Sequence, residues 1–240
     1  MSSWKEFYKN ESINYDRIRY DYWYGNIFSL LHESALSEML KNYMPKSVIL
    51  DVASGTGHNL AALSRSGGAV MALDLTSEML LESRKKIWHS SVAYIIGDAF
   101  CLPFPDNCFD VVSSSRFLHL FSEKQQQIVM IEMIRVLKPG GLIIIDFYNI
   151  YSWIIFYPII IIYRILKCKR PTKDTRNSVS SVHKFLLERN LSLNETIGVG
   201  SYLLYFARFL PEKFAIKLGE FFKNKPCRFL SEQFIVSAQK

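Results

Sequence analysis

A chain of 240 residues, 49% apolar and 21% charged, is long enough to bury one sizeable core and too evenly composed for a disordered or fibrous polymer. Its formal charge of +7 favours anionic partners, whether nucleic acid, phosphorylated substrate or lipid headgroup, without choosing among them. Cys101, Cys108, Cys168 and Cys227 have neither the paired spacing of a zinc site nor the density of a disulfide scaffold, which points to a reducing, cytoplasmic setting.

The first ten residues mix Lys5, Glu6 and Lys9 with aromatics and lack the apolar core and cleavage site of a signal peptide. Trp4 to Tyr43 reads as helical and aromatic-rich, its second half an amphipathic helix closed by Pro45. Val48–Val52 reads as a buried parallel strand. A regular alternation follows: Leu60–Ser66 helical, Ala69–Leu73 extended, Ser77–Ile87 helical, then Val92–Ile96 and Phe109–Ser113 extended. Gln125–Leu137 is a further helix, stopped by Lys138, Pro139, Gly140 and Gly141 ahead of the strand Leu142–Phe147.

Beyond it lie an apolar stretch from Tyr151 to Leu166 and a polar loop from Lys169 to Ser181. Candidate strands near Glu195–Gly200 and Gln233–Ala238 form an antiparallel edge, with Tyr202–Phe222 inserted between them. The expectation is a doubly wound α/β fold: a mostly parallel, seven-stranded sheet with an antiparallel last strand. It divides into a helical lid (1–46), a cofactor-binding core (47–148), an apolar and basic substrate-cap insertion (149–190) and C-terminal strands with a helix (191–240).

The strongest chemical signal is Asp51-Val52-Ala53-Ser54-Gly55-Thr56-Gly57, directly after a strand and before a helix. Glycines let the backbone turn tightly and approach a ligand, and free amides at the next helix start favour an anionic group. Asp74 and Asp98 end the next two strands, so the three carboxylates should face one crevice outside the strand ends. Asp74 follows the glycine loop at the distance of a carboxylate that accepts hydrogen bonds from ribose hydroxyls, and Asp98 suits an adenine amino group. A dinucleotide fingerprint needs a third glycine where this chain has Leu60, which favours a nucleoside ligand without a pyrophosphate.

The segments VILDVASGTG, VMALDLTSEML, GDAFCLPFPDNCFDVVSSSRFLHLF, EMIRVLKPGG and LIIIDF together resemble the class I S-adenosylmethionine-dependent methyltransferases. Within that family they resemble the type 11 group, which includes ubiquinone and menaquinone C-methyltransferases. The resemblance implies that the Ser54–Gly57 loop (Ser54, Gly55, Thr56, Gly57) holds the methionine portion of the cofactor. It implies that Asp74 holds the ribose, and that Asp98, Ala99 and Phe100 bracket the adenine. It adds Asp51, Ala53, Leu75, Met79, Gly97 and Ser114 to the cofactor set, and Tyr15, in NYDR, as a tyrosine closing over the cofactor. Ala53 stands where the family usually has its first glycine, a departure expected to shift the loop without abolishing binding. The implied product is S-adenosylhomocysteine.

Methyl transfer from a sulfonium is an in-line displacement, so holding donor and acceptor in line and excluding water supplies much of the catalysis. A base is needed only if the acceptor loses a proton. His119, after the fourth strand, is the candidate, with packing under Phe117 and Phe121 as the alternative. Arg116 either orients an anionic acceptor or sits in solvent. His32, His58, His89 and His183 lack metal-ligand spacing, so no metal site is expected.

The stretch YSWIIFYPIIIIYRILKCKR, interrupted by Pro158 and Arg164, is too short to span a bilayer. With Lys167, Lys169, Arg170, Lys173 and Arg176 it suits a lipid-like acceptor or peripheral contact with an inner membrane surface through 151–176, or else a buried lid. The expected acceptor is therefore a hydrophobic small molecule or lipid. A nucleic-acid methyltransferase is the alternative, weakened because Ser113-Ser114-Ser115-Arg116 replaces the acidic or amide residue, two prolines and aromatic of amino-methylating relatives. A non-catalytic cofactor-binding, membrane-recruiting module is the third.

Overall fold

The computed structural model describes residues 2–41, 47–65, 68–86, 92–166, 174–209, 211–224 and 226–240. Strand β1, Val48–Val52, is apolar on both sides because both faces of the sheet are covered. Ile49 enters one core while Leu50 and Val52 enter the other, as strand alternation requires. Strands β2 (Ala69–Asp74), β3 (Val92–Ile96), β4 (Phe109–Ser114) and β5 (Leu137–Asn149) run parallel to it.

A two-residue strand, β6 (Arg176–Asn177), pairs parallel with Tyr148 and Asn149 of β5. With β7 (Ser192–Ser201) and β8 (Ser231–Gln239) the path reads β3-β2-β1-β4-β5-β8-β7, β8 lying antiparallel to both neighbours. The sheet is thus doubly wound and mostly parallel, with eight strands rather than seven. The extra one escapes a sequence reading because two polar residues carry no periodicity. The strand order reverses beside β1, and a crevice opens there at the carboxyl ends of β1 and β4.

Helices α1 (Ser2–Glu11) and α2 (Tyr15–Arg19), joined by a 3-10 turn, precede α3 (Trp23–Met39). Ile27, Leu31, Leu36 and Met39 of α3 pack on one sheet face with Leu60 and Leu63 of α4 (Leu60–Arg65). Helix α5 (Ser77–Lys86) follows β2. The other face is covered by Val129, Met130 and Met133 of α6 (Glu123–Val136), joined further along the chain by Val182, Phe185 and Leu186. Between them α7 (Ile150–Leu166) is one helix with Pro158 inside it, exposing Tyr151, Ile154, Ile155, Tyr157 and Ile162. Among the described residues no helix is long and apolar enough to cross a membrane.

Two boundaries differ from expectation. Helix α6 ends at Val136, and β5 runs straight through Pro139, Gly140 and Gly141. The reason is pairing: Leu137 lies opposite Phe109, the Gly140 N–H donates to the Lys240 carbonyl at 2.7 Å, and the Lys240 N–H donates to the Gly141 carbonyl at 3.0 Å. The polar loop ends early too, because α8 (Val179–Leu187) begins on a Ser178 cap whose hydroxyl accepts from the Ser181 N–H at 3.0 Å. The readings that touch Tyr43, Pro45, Ser66, Ile87, His89, Lys167, Cys168, Lys169, Arg170 and Lys173 lie outside the described residues. The C-terminal insertion is helical, with a 3-10 segment at Tyr202–Phe209 and α9 at Glu212–Phe221.

Candidate cofactor and acceptor site

After Val52 the chain turns through left-handed conformations, with φ of 58° at Ala53, 53° at Gly55 and 79° at Gly57. Alanine at 53 adopts the left-handed state, at about 1 kcal/mol, rather than relaxing the turn. At Gly57 a Cβ would lie 2.1 Å from Ser83 Oγ and 3.0 Å from Ser83 Cβ, so α5 packs directly on the loop.

The Asp74 carboxylate ties this loop to the next one. Its Oδ2 accepts the Gly55 N–H at 2.9 Å and its Oδ1 accepts the Thr76 N–H at 2.9 Å. Burial pushes its pKa up, against the Thr76, Gly55 and Leu75 amides and the Thr76 side chain. Asp98 at the tip of β3 is organised similarly, its Oδ1 accepting the Phe100 N–H at 2.9 Å.

Asp51 plays a different part. It is 1% exposed and accepts the Ser113 hydroxyl at 2.8 Å. Burial pushes its pKa up to about 7, opposed by Ser113 and reinforced by Asp74 and Asp146. An unfolded carboxyl ionises near 4, so between about pH 4 and pH 7 the native state holds the extra proton and folding stability falls as pH rises. The urea midpoint of the ligand-free protein is therefore expected to drop across that interval. In Asp51→Asn the drop should flatten; an unchanged slope would remove Asp51 from the account.

A cavity enclosing about 1190 Å³, open mouth included, lies over these strand tips. It is lined by Tyr15, Ala53, Ser54, Gly55, Thr56, Asp74, Leu75, Met79, Gly97, Asp98, Ala99 and Phe100, all singled out from sequence. Asp51, Gly57, Ser114 and His119 are not among its lining residues. Ser114 instead donates to the Val52 carbonyl at 2.9 Å. The His119 ring stands edge-on to Tyr148, with centroids 4.7 Å apart and its Nε2 3.9 Å from Asp174. Burial pushes its pKa down to about 4 despite Asp174, so it is neutral near pH 7.

The other end of the cavity is built by residues that the sequence did not mark as a group: Tyr20, Phe28, Ser29, His32, His58 and Arg116. His58 stacks flat on Tyr20, centroids 3.8 Å apart, and its Nε2 meets the Ser29 hydroxyl. Burial, with His32 and Arg116 nearby, pushes the His58 pKa down to about 4. His32 Nε2 lies 3.3 Å from Asp146 Oδ2. The same carboxylate accepts the Arg116 N–H at 2.8 and 3.0 Å. That bond holds Arg116 at φ 55° and sets its guanidinium 4.9 Å over the Tyr20 ring and 5.6 Å over Phe28. A non-glycine residue held left-handed by a buried carboxylate marks local strain of the kind found at functional sites.

The N-terminal helices cover the mouth. Lys5, Tyr8 and Tyr15 line it, and Asp16 Oδ1 accepts the Thr56 hydroxyl at 2.6 Å while Lys86 contacts both Asp16 and the Thr56 carbonyl. The donor set fits a nucleoside with an amino-acid tail: the Asp74 and Asp98 oxygens retain lone pairs beyond their backbone partners. Ser54 Oγ in the loop is buried without a partner among the described residues.

A family profile described as a methyltransferase domain matches residues 50–145. The chain is 37% identical over 102 residues to a demethylmenaquinone methyltransferase of Renibacterium salmoninarum, covering 42% of this chain and 41% of that protein. It is 41% identical over 106 residues to a ubiquinone/menaquinone biosynthesis C-methyltransferase of Roseobacter denitrificans, covering 41% and 42%. The match thus spans about two fifths of the length of these curated relatives.

Among solved structures, magnesium protoporphyrin IX methyltransferase from Synechocystis PCC 6803 with bound S-adenosylhomocysteine is similar with a TM-score of 0.71. It is 12% identical, and the superposition covers 100% of this chain and 99% of that one. An S-adenosylmethionine-dependent methyltransferase from Mesorhizobium loti gives 0.60 at 18% identity, covering 86% and 96%. At such identities the likeness is one of fold. Taken with the profile match over the glycine loop and its two acidic partners, it leads to one statement of kinship: residues 50–145 match a methyltransferase domain, and the whole chain has the fold of the solved methyltransferases.

Proposed function

We propose that the protein transfers a methyl group from S-adenosylmethionine to a hydrophobic small-molecule or lipid-like acceptor of the quinol kind. One observation carries the reading: a single cavity joins a polar, carboxylate-tipped end to an aromatic end. The names of the quinone C-methyltransferase relatives support the acceptor class. The outward apolar face of α7 supports residues 151–176 as the part that meets a lipid surface.

Bound in the polar end, the cofactor would supply an electrophilic methyl on sulfur. Asp74 would take the ribose hydroxyls, Asp98 with Ala99 and Phe100 the adenine, and Ser54 with the loop amides the amino-acid tail. Tyr15 would cover that end and Tyr20 the aromatic one, excluding water, so that the acceptor meets the methyl in line and in a poorly hydrated site. Purified protein incubated with methyl-labelled cofactor and lipid vesicles carrying reduced demethylmenaquinone should yield organic-soluble label, with the protein sedimenting on the vesicles. Label recovered only in protein or nucleic acid would overturn the acceptor class, and protein left in the supernatant would remove the membrane contact.

A further inference from the structure

Two histidines line the cavity, and one of them is paired with a buried carboxylate. His32 sits on α3 with its side chain 3% exposed, yet it lines the cavity, and Asp146 beside it is 4% exposed. A carboxylate only accepts, so a neutral His32 ring beside Asp146 carries its hydrogen on Nε2 and its lone pair on Nδ1. His58 is engaged differently: Ser29 occupies its Nε2 and Tyr20 its face. The ionisable groups around His32 come from four elements: Asp146 on β5, His58 after β1, Arg116 after β4 and Tyr20 at the end of α2. Among them Arg116 is the fixed cation, pinned by the carboxylate that orients His32.

Resting on the methyltransferase reading above, we propose that His32 Nδ1 takes the acceptor's proton, that Asp146 positions the ring, and that the acceptor is an aromatic ring bearing an ionisable hydroxyl. The walls suit such a ring: Tyr20, Phe28, Phe117 and Phe121 supply π faces and edges. The O–H proton passes to Nδ1, leaving an electron pair on oxygen in conjugation with the ring carbons. That pair forms the new bond to the methyl carbon, from oxygen or through a ring carbon, as the carbon–sulfur bond breaks, and the departing pair stays on sulfur as a thioether. Attack through a ring carbon leaves a dienone whose ring hydrogen then departs as a proton to water while the oxygen takes a proton back, restoring the aromatic ring. Arg116 stabilises the oxyanion between the two events. His119, the histidine favoured by sequence, has no place in this step because it lies off the cavity.

The test needs no identified substrate. The S-adenosylhomocysteine complex is titrated with 4-nitrophenol, whose phenolate is coloured, at a pH where the free phenol is mostly protonated. The wild-type complex is expected to develop the phenolate band. His32→Gln should keep its affinity for S-adenosylhomocysteine within about twofold while losing at least about tenfold of the bound phenolate, and Asp146→Asn should shift the pH at which the band appears. A wild-type complex that leaves the phenol protonated, or a His32→Gln complex that ionises it equally well, overturns the proposal. Should His32→Gln fail to fold, the wild type decides: the His32 ring resonance, assigned through its own backbone, must move to the imidazolium position when 4-nitrophenol is added, and a static resonance overturns it. Failure of the wild type to bind S-adenosylhomocysteine at all counts against the methyltransferase reading instead.

Discussion

Gly57→Ala is expected to lose about 3 kcal/mol of folding stability, against about 1 kcal/mol for Gly55→Ala two residues earlier. Both glycines have positive φ, so both variants carry the left-handed penalty. The difference is space. Around Gly55 nothing lies within 4 Å of an added Cβ, whereas at Gly57 the new carbon would meet Ser83 Oγ at 2.1 Å and Leu60 Cδ1 at 3.2 Å. Rotating the serine hydroxyl does not relieve the clash, because Ser83 Cβ itself would stand at 3.0 Å. Helix α5 would have to retreat from the loop, opening the floor of the cavity. Urea denaturation of the two variants checks this, and equal losses would show that α5 yields freely.

Asp74→Ala is expected to weaken S-adenosylhomocysteine binding by about 2–3 kcal/mol, a factor of about 30 to 150. The carboxylate does two jobs through different lone pairs. It anchors the Gly55 and Thr76 amides, which fixes the relative position of two loops, and in the proposed function it would accept the ribose hydroxyls. Alanine removes both and strands two donors. Asp74→Asn keeps one acceptor oxygen and should fall between the wild type and alanine. Calorimetry on variants shown to be folded by their melting curves settles the matter; an unchanged dissociation constant for Asp74→Ala would move the ribose elsewhere.

The polar end of the cavity was legible because its signals are local. A strand, a glycine turn and an acidic strand tip occupy consecutive positions, and sheet topology alone carries Asp74 and Asp98 to the same edge. The aromatic end was not, because its contacts join distant parts of the chain: His32 and Asp146 are 114 residues apart, and Ser29 and His58 are 29 apart. Asp146 reads in sequence as the polar end of an apolar strand, and His32 as a polar break in an amphipathic helix. Only the packing of α3 across β5 makes them partners. His119 was favoured for its proximity to the fourth strand, yet one residue's rotation in the short 3-10 turn Leu118–Leu120 sets it against Tyr148 instead. Arg116, three residues earlier, lines the cavity, as do Ser115, Phe117, Leu120 and Phe121.

The position of β8 also sets the order in which the sheet can be finished. Its residues, Ser231–Gln239, are paired on both sides, with β5 and with β7. A ribosome that has just added Ser201 has delivered both flanking strands of a gap whose filler is still untranslated. Until Ser231–Gln239 emerges, two ladders of backbone donors and acceptors stay open side by side, the arrangement most prone to pairing with another nascent chain. A premature stop anywhere between 202 and 230 spares every residue that lines the cavity, and it leaves a polypeptide fated for aggregation and clearance rather than a shortened protein with the same fold.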